Sequence, residues 1–140
     1  MANALPQAIG AQATYPGRQV ISPSGDGGFA MLMGDLLTLW QHKLPVKMVV
    51  FKNDSLAFVE LEMKAGGILD FGTDLQNPDF AKIAEGAGLM GLRAETPDQV
   101  EPMLAKALKH DGAALVGFPV RNSRCLPPSL MSRPKVSVFL

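Results

Sequence analysis

The sequence predicts an α/β fold, a three-layer sandwich with a mostly parallel central sheet flanked by helices. Three observations predict it. Residues 46–51 and 114–120 are short apolar runs with little polar alternation, the pattern of strands buried on both faces. Stretches with apolar residues at helical spacing lie between the candidate strands, leaving room for crossover helices. Gly and Pro punctuate the junctions, as at Tyr15-Pro16-Gly17 and Leu44-Pro45. A chain of 140 residues, 47% of them hydrophobic, is long enough for one real core and is expected to form one domain.

Taken in order, residues 3–14 carry Leu5, Ile9 and Ala13 at helical spacing, and a short strand is expected at 18–22. Pro23 follows, although proline lacks a ladder donor and suits a central strand poorly. Residues 28–42 read as one helix, with Phe29, Leu32, Met33, Leu36 and Trp40 along one stripe. Met31, Leu37 and Leu39 add apolar surface elsewhere, so this helix is expected to be covered by core on one side and an interface on another. Residues 46–51 form the next strand, and 56–64 a short helix whose Glu60 and Glu62 read as a solvated face. After a Gly-containing loop at 65–74, Asn77 is expected to cap a helix with Pro78 at its first position, and Gly88 to stop it. Phe80, Ile83, Ala84 and Ala87 would be its buried stripe. Residues 89–94 are a third strand candidate. Thr96-Pro97-Asp98-Gln99 then reads as a capping box. Val100, Met103, Leu104, Ala107 and Leu108 continue that helix, which Pro102 should kink or delay. A fourth strand is expected at 114–120.

Composition excludes several classes. The 13 Lys+Arg and 13 Asp+Glu cancel, and no basic stripe appears, so nucleic acid is not expected as a partner. No apolar run reaches the roughly 18 residues of a membrane span. Residues 1–10 lack the basic start and apolar centre of a secretory signal. Cys125, the only cysteine, permits no internal disulfide, which suits a reducing cytoplasm. His42 and His110 sit near helix ends beside Lys43 and Lys109, where favourable terminal charge explains them.

The chemistry concentrates in two stretches, Gly25-Asp26-Gly27-Gly28-Phe29 and Lys52-Asn53-Asp54-Ser55-Leu56. The 25 positions from 28 to 52 are enough for one crossover helix and one return strand. Both stretches would then lie at the carboxyl ends of two parallel strands. The glycines allow close approach of backbone to a phosphate, and a helix start offers free N–H groups. Asp26 supplies an anionic oxygen, Asn53 an amide oxygen and Ser55 a main-chain carbonyl. That donor set suits a hard cation such as Mg²⁺, which keeps phosphates and water among its six oxygens.

Gly25-Asp26-Gly27 with Asn53 downstream resembles the thiamine-diphosphate motif of the thiamine-dependent enzymes. The wider text MANALPQAIGAQ, GDGGFAMLMGDLLTLWQHKLPVKMVVFKN and LAFVELEMKAGG is similar to the C-terminal thiamine-diphosphate domain of bacterial pyruvate oxidases, the pyruvate:quinone dehydrogenases. The resemblance covers residues 1–128, which it marks as the cofactor-binding domain, and leaves 129–140 as a tail. It implies metal ligation by Asp26, Asn53 and the Ser55 carbonyl, and diphosphate contact by Gly27 and Gly28. Asn53, Asp54, Ser55, Leu56, Ala57, Phe58 and Val59 would run along the cofactor, and Met1 would prop it in its bent form. Phe58 matches an aromatic held to stand between thiamine and flavin; the alternative is a plain core Phe. Lys52 replaces a common Asn of the relatives, and Pro23 an apolar residue.

The implied activity is oxidative decarboxylation of pyruvate to acetate and CO₂ on Mg²⁺ and thiamine diphosphate, with electrons passing to FAD and then a quinone. Implied partners are pyruvate, the quinone and further domains or subunits of a cytoplasmic homo-oligomer, a homotetramer, with peripheral membrane contact confined to full-length relatives. The FAD domain and the carboxylate that activates the cofactor have no counterpart in these residues, so the chain is expected to be part of a larger enzyme. An acetolactate synthase-like carboligase and a non-catalytic assembly module are the rival readings.

Overall fold

The computed structural model describes residues 1–120. In order they form α1 (Ala4–Thr14), β1 (Ile21–Gly25), α2 (Asp26–Met31), a 3-10 turn at Met33–Asp35, α3 (Leu36–His42), β2 (Lys47–Lys52), α4 (Ala57–Ala65), α5 (Phe80–Gly86), β3 (Met90–Arg93), α6 (Pro97–Lys109) and β4 (Ala114–Pro119). The four strands make one sheet in the order β1-β2-β4-β3, with every pairing parallel. The register aligns Gly25 with Phe51 and Phe51 with Phe118, so β1, β2 and β4 end along one edge. The expectations for Pro127-Pro128, Cys125 and the tail at 129–140 lie outside the described residues.

Side-chain alternation along the strands divides the core into two. Met48, Val50 and Leu115 face α1, α2, α3 and α5, against Leu5, Phe29, Leu36, Leu39, Phe80 and Ala84. Ala114 and Val116 face α6, against Ala107, Met103 and Leu104. The sheet is therefore the middle of three layers, as the sequence predicts.

The expected strand at 18–22 is displaced: β1 runs from Ile21 to Gly25 and contains Pro23. The Lys47 N–H donates to the Val20 carbonyl at 2.9 Å. Parallel ladders bond alternate residues, so 20, 22 and 24 face β2 and Pro23 faces the outer side of β1. On an edge strand the missing N–H costs no ladder bond.

The single helix expected at 28–42 is broken. Leu32, at φ −129° and ψ 28°, closes α2, and the 3-10 turn intervenes before α3. Gly27, Gly28 and Gly34 weaken a continuous helix by about 1 kcal/mol each relative to Ala. The break shifts the buried stripe, so Leu39 enters the core while Leu32 and Trp40 are exposed. Met31 and Leu37 are exposed as well, leaving an apolar outer face. In α1 the buried line is Leu5, Ala8 and Gln12, whereas Ala13 is exposed. The Gln12 amide donates to the Arg18 carbonyl at 3.0 Å and so fixes the turn into β1.

Two caps differ from expectation. Asp79, not Asn77, caps α5, its Oδ1 accepting the N–H groups of Ala81 at 3.1 Å and Lys82 at 3.3 Å. The Thr96 hydroxyl makes no cap bond; Gln99 Oε1 instead accepts the Glu95 N–H at 2.8 Å. Pro102 sits exposed within α6, which continues through it. Lys47 is buried, and its ammonium donates to the carbonyls of His110 and Gly112, tying β2 to the α6–β4 turn. Burial pushes this lysine below its ordinary pKa, with Asp111 opposing.

Asp79 also accepts from Arg93 Nη1 at 3.2 Å, linking α5 to the end of β3. Burial alone would push its carboxyl up, but the Lys82 N–H and the Arg93 guanidinium outweigh this and hold it below the usual range. The unfolded chain then binds the proton more readily. Its contribution to stability is fully present above about pH 4, the unfolded value, and is lost as pH falls through the lower folded value. Asp79→Ala is expected to cost about 1 kcal/mol at pH 7, the usual price of an N-cap. Urea melts should show that difference shrinking toward pH 3; a pH-independent difference would contradict the assignment.

Candidate functional site

The end of β1 delivers Asp26 to the sheet edge, and the end of β2 delivers Asn53 beside it. Asp26 is only 2% exposed and opens α2, with Gly25 as the extended residue before it. Its Oδ2 accepts three donors: the N–H of Asp54 at 2.7 Å, the N–H of Asn53 at 3.0 Å and Nδ2 of Asn77 at 2.7 Å. Its Oδ1 accepts one, the N–H of Gly27 at 2.9 Å. A carboxylate oxygen has room for about two partners, so Oδ2 is saturated and Oδ1 retains capacity.

The loop after β2 is wound tightly around this carboxylate. Asp54 takes the left-handed conformation at φ 56°, which Asp tolerates better than most residues. Asn53 Oδ1 accepts the Ser55 N–H at 3.1 Å, an Asx turn that fixes the amide and leaves its oxygen a second lone pair. The Asp54 carbonyl accepts Leu75 N–H and the Leu56 carbonyl accepts Glu60 N–H. Among the described residues no backbone N–H is bonded to the Ser55 carbonyl between them. Asp54 pairs with Lys52 at 2.7 Å and with Asn77 at 2.9 Å, and these two contacts hold its carboxyl below the usual range. Lys52 thus pairs with a carboxylate at the rim.

The glycines have separate reasons. A Cβ on Gly27 would stand 2.7 Å from Leu56 Cδ2 and 3.1 Å from Leu75 Cδ1, so its backbone is pressed against the second stretch. A Cβ on Gly28 would stand 3.5 Å from the Ala2 nitrogen, which puts the start of the chain beside this turn. Met1 is exposed next to it. α2 has only six residues, so the helix-terminus contribution expected from a long helix is correspondingly short.

Leu56, Ala57 and Val59 are half-buried at the start of α4, but Phe58 is 82% exposed. That exposure overturns the core-Phe alternative. Ile68, Leu69 and Phe71 in the loop after α4 are exposed too. Glu60 does not belong to a solvated face as expected. It is half-buried and accepts Ser55 Oγ at 3.2 Å while pairing with Lys64. Glu62 is exposed, as expected.

Asp26, Gly27, Gly28, Asn53, Asp54 and Ser55 are therefore brought together, and Asn77 joins them unanticipated. Its signal in the sequence, Asn before Pro, read as a helix cap. The residues fit a Mg²⁺ bound to a diphosphate. No group of three or more His, Cys, Asp or Glu that could hold a metal exists among the described residues. One spare carboxylate oxygen, one amide oxygen and one main-chain carbonyl instead offer a hard, partial oxygen shell, the kind Mg²⁺ completes with phosphate and water.

The family of the thiamine pyrophosphate enzyme C-terminal TPP binding domain matches residues 1–118. Acetolactate synthase of Bacillus subtilis (strain 168) is 38% identical over 124 residues, covering 86% of this chain and 21% of that protein. Pyruvate oxidase of Lactiplantibacillus plantarum is 36% identical over 126 residues, covering 88% of this chain and 21% of that protein. The structure of a thiamine diphosphate-dependent 4-hydroxybenzoylformate decarboxylase from Rhodococcus jostii RHA1 matches with a TM-score of 0.80 at 29% identity, covering 86% of this chain and 23% of that one. The chain thus spans about a fifth of the length of the curated relatives it matches. With a parallel sheet that sets Asp26 beside Asn53 and a family match over residues 1–118, the chain belongs to the thiamine pyrophosphate enzymes, as their C-terminal TPP-binding domain.

Proposed function

We propose that this domain holds Mg²⁺ and thiamine diphosphate for a pyruvate oxidase that converts pyruvate to acetate and CO₂ and passes electrons through FAD to a quinone. The observation that carries the cofactor assignment is the buried Asp26 carboxylate, whose Oδ2 is saturated by the second stretch while Oδ1 keeps capacity. When bound, the thiazolium supplies the electron sink for decarboxylation. Asp26, Asn53 and the Ser55 carbonyl would hold the cation. Gly27 and Gly28 let the backbone come close to the diphosphate. Leu56, Ala57, Phe58 and Val59 would run along the cofactor, and Met1 would prop it in its bent form.

Two features support the oxidase in particular. The text from Leu61 to Gly67 resembles pyruvate oxidases, and Phe58 is exposed, as an aromatic facing a flavin on another domain must be. The exposed Leu69 and Phe71 of the loop after α4, and the exposed face of α2 and α3, suit contact with further domains and subunits of a homo-oligomer. The 38% identity to an acetolactate synthase sustains the carboligase as a second reading. The cytoplasm, against the inner face of the membrane where a quinone is reached, is the proposed setting; recovery from the periplasm on cell fractionation would count against it.

The test is to reconstitute the chain with the remaining domains of a pyruvate oxidase and assay products. Acetate with reduction of a quinone analogue is expected; acetolactate would select the carboligase. In the same preparation Phe58→Ala should slow stopped-flow flavin reduction by about 10-fold or more, while cofactor affinity changes by less than about 3-fold, as for a group acting in the reaction rather than in uniform binding. Unchanged flavin reduction would remove Phe58 from the reaction.

A further inference from the structure

We propose that Asn77 is a positioning residue for the cation, holding the Asp26 carboxylate in the orientation that turns Oδ1 toward it. The proposal rests on the assignment of Asp26 as a metal ligand. One amide nitrogen of Asn77 spans two carboxylates, reaching Asp26 Oδ2 at 2.7 Å and Asp54 Oδ1 at 2.9 Å. It comes from the segment between α4 and α5, 51 residues beyond Asp26, and is not needed for the helix that follows, because Asp79 caps α5.

Three consequences follow from the geometry. The N–H groups of Asn53 and Asp54 already fill Oδ2, and the Asn77 donor is a third that comes from a different segment and braces the carboxylate from a further direction. Oδ1, bonded only to the Gly27 N–H, is left as the ligating atom, and the carboxylate plane is held against rotation. The second hydrogen bond, together with Lys52, holds the Asp54 carboxylate within the rim network. Without Asn77, Oδ2 would keep its two backbone donors but lose the side-chain donor that helps fix the rotation of the carboxylate, and Asp54 would keep only its Lys52 contact. Partners that orient a metal ligand in this way are typically worth 10- to 100-fold in metal affinity.

Calorimetry on the 140-residue chain tests this by titrating Mg²⁺ at saturating thiamine diphosphate, then thiamine diphosphate at saturating Mg²⁺. Asn77→Ala should raise the Mg²⁺ half-saturation concentration 10- to 100-fold. At saturating Mg²⁺ its thiamine diphosphate affinity should return to within about twofold of wild type, since an effect exerted through the cation is overcome by mass action. Asn77→Ser keeps one donor and should fall between the two; it carries the test if Asn77→Ala does not fold. An unchanged Mg²⁺ half-saturation, or thiamine diphosphate binding that excess Mg²⁺ does not restore, would overturn the proposal. Asp26→Ala measured in parallel separates the two failures. If it abolishes binding while Asn77→Ala has no effect, only the role of Asn77 falls. If Asp26→Ala changes nothing, or wild type shows no Mg²⁺-dependent binding, the metal assignment falls and Asn77 with it.

Discussion

Asp26→Ala is expected to abolish Mg²⁺-dependent binding of thiamine diphosphate, weakening it by more than about 100-fold, because it removes the only anionic protein ligand in the proposed shell. Asn53→Ala removes a neutral oxygen and should do less. The variant has a second effect that must be separated from the first. Four donors lose their acceptor: the N–H groups of Gly27, Asn53 and Asp54, and the amide of Asn77. Each buried donor left unpaired costs about 1–3 kcal/mol, although those near the rim regain water. Asp26→Ala should therefore also lower the melting temperature of the ligand-free chain. Asp26→Asn, which keeps the shape and loses the charge, should melt closer to wild type and still bind Mg²⁺ poorly. Unchanged cofactor affinity of Asp26→Ala in calorimetry would refute the site.

Gly91→Ala is expected to give the largest loss of stability. Gly91 lies in β3, paired with Leu115 of β4, where α5 crosses the sheet. A Cβ there would stand 2.1 Å from the Ala81 carbonyl oxygen and 2.7 Å from its carbon. Both are backbone atoms of α5, so no rotamer change relieves the clash; the helix itself has to retreat from the sheet. Phe80 and Ala84 would then leave their places in the core. The expected cost is about 3 kcal/mol, the upper end for overpacking, and a fall in melting temperature on the order of 10 °C. Gly86→Ala is the control. Its Cβ meets nothing within 4 Å, and it lies in the same helix, where Ala should be neutral or stabilising by up to about 1 kcal/mol. If Gly91→Ala melts with wild type, the close approach of α5 to β3 is wrong.

Local signals in the sequence located the elements well and their ends less well. Val46 to Phe51 and Ala114 to Val120 were legible as strands because apolar continuity marks burial on both faces whatever the neighbours. The helix at 28–42 was not legible as two pieces. Its apolar residues continue across the break, and a periodicity count averages over one non-helical residue such as Leu32. Pro23 read as an intrusion before the turn because an edge strand can be told from a central one only when strand order is known.

The sequence by itself determined the α/β class, the order of strand and helix, and the meeting of Gly25-Asp26-Gly27 with Asn53. Those follow from chain length and side-chain period, since one crossover of this size returns a parallel strand to the same edge. Only the tertiary structure decided the use of each oxygen of Asp26, the exposure of Phe58 and the recruitment of Asn77. The reason is that each depends on what lies across space. Asn77 and Asp79 are both able to cap α5, and two residues of separation in sequence say nothing about which one finds a carboxylate waiting. The cap went to Asp79, which also meets Arg93; Asn77, turned toward the sheet edge, met Asp26 and Asp54.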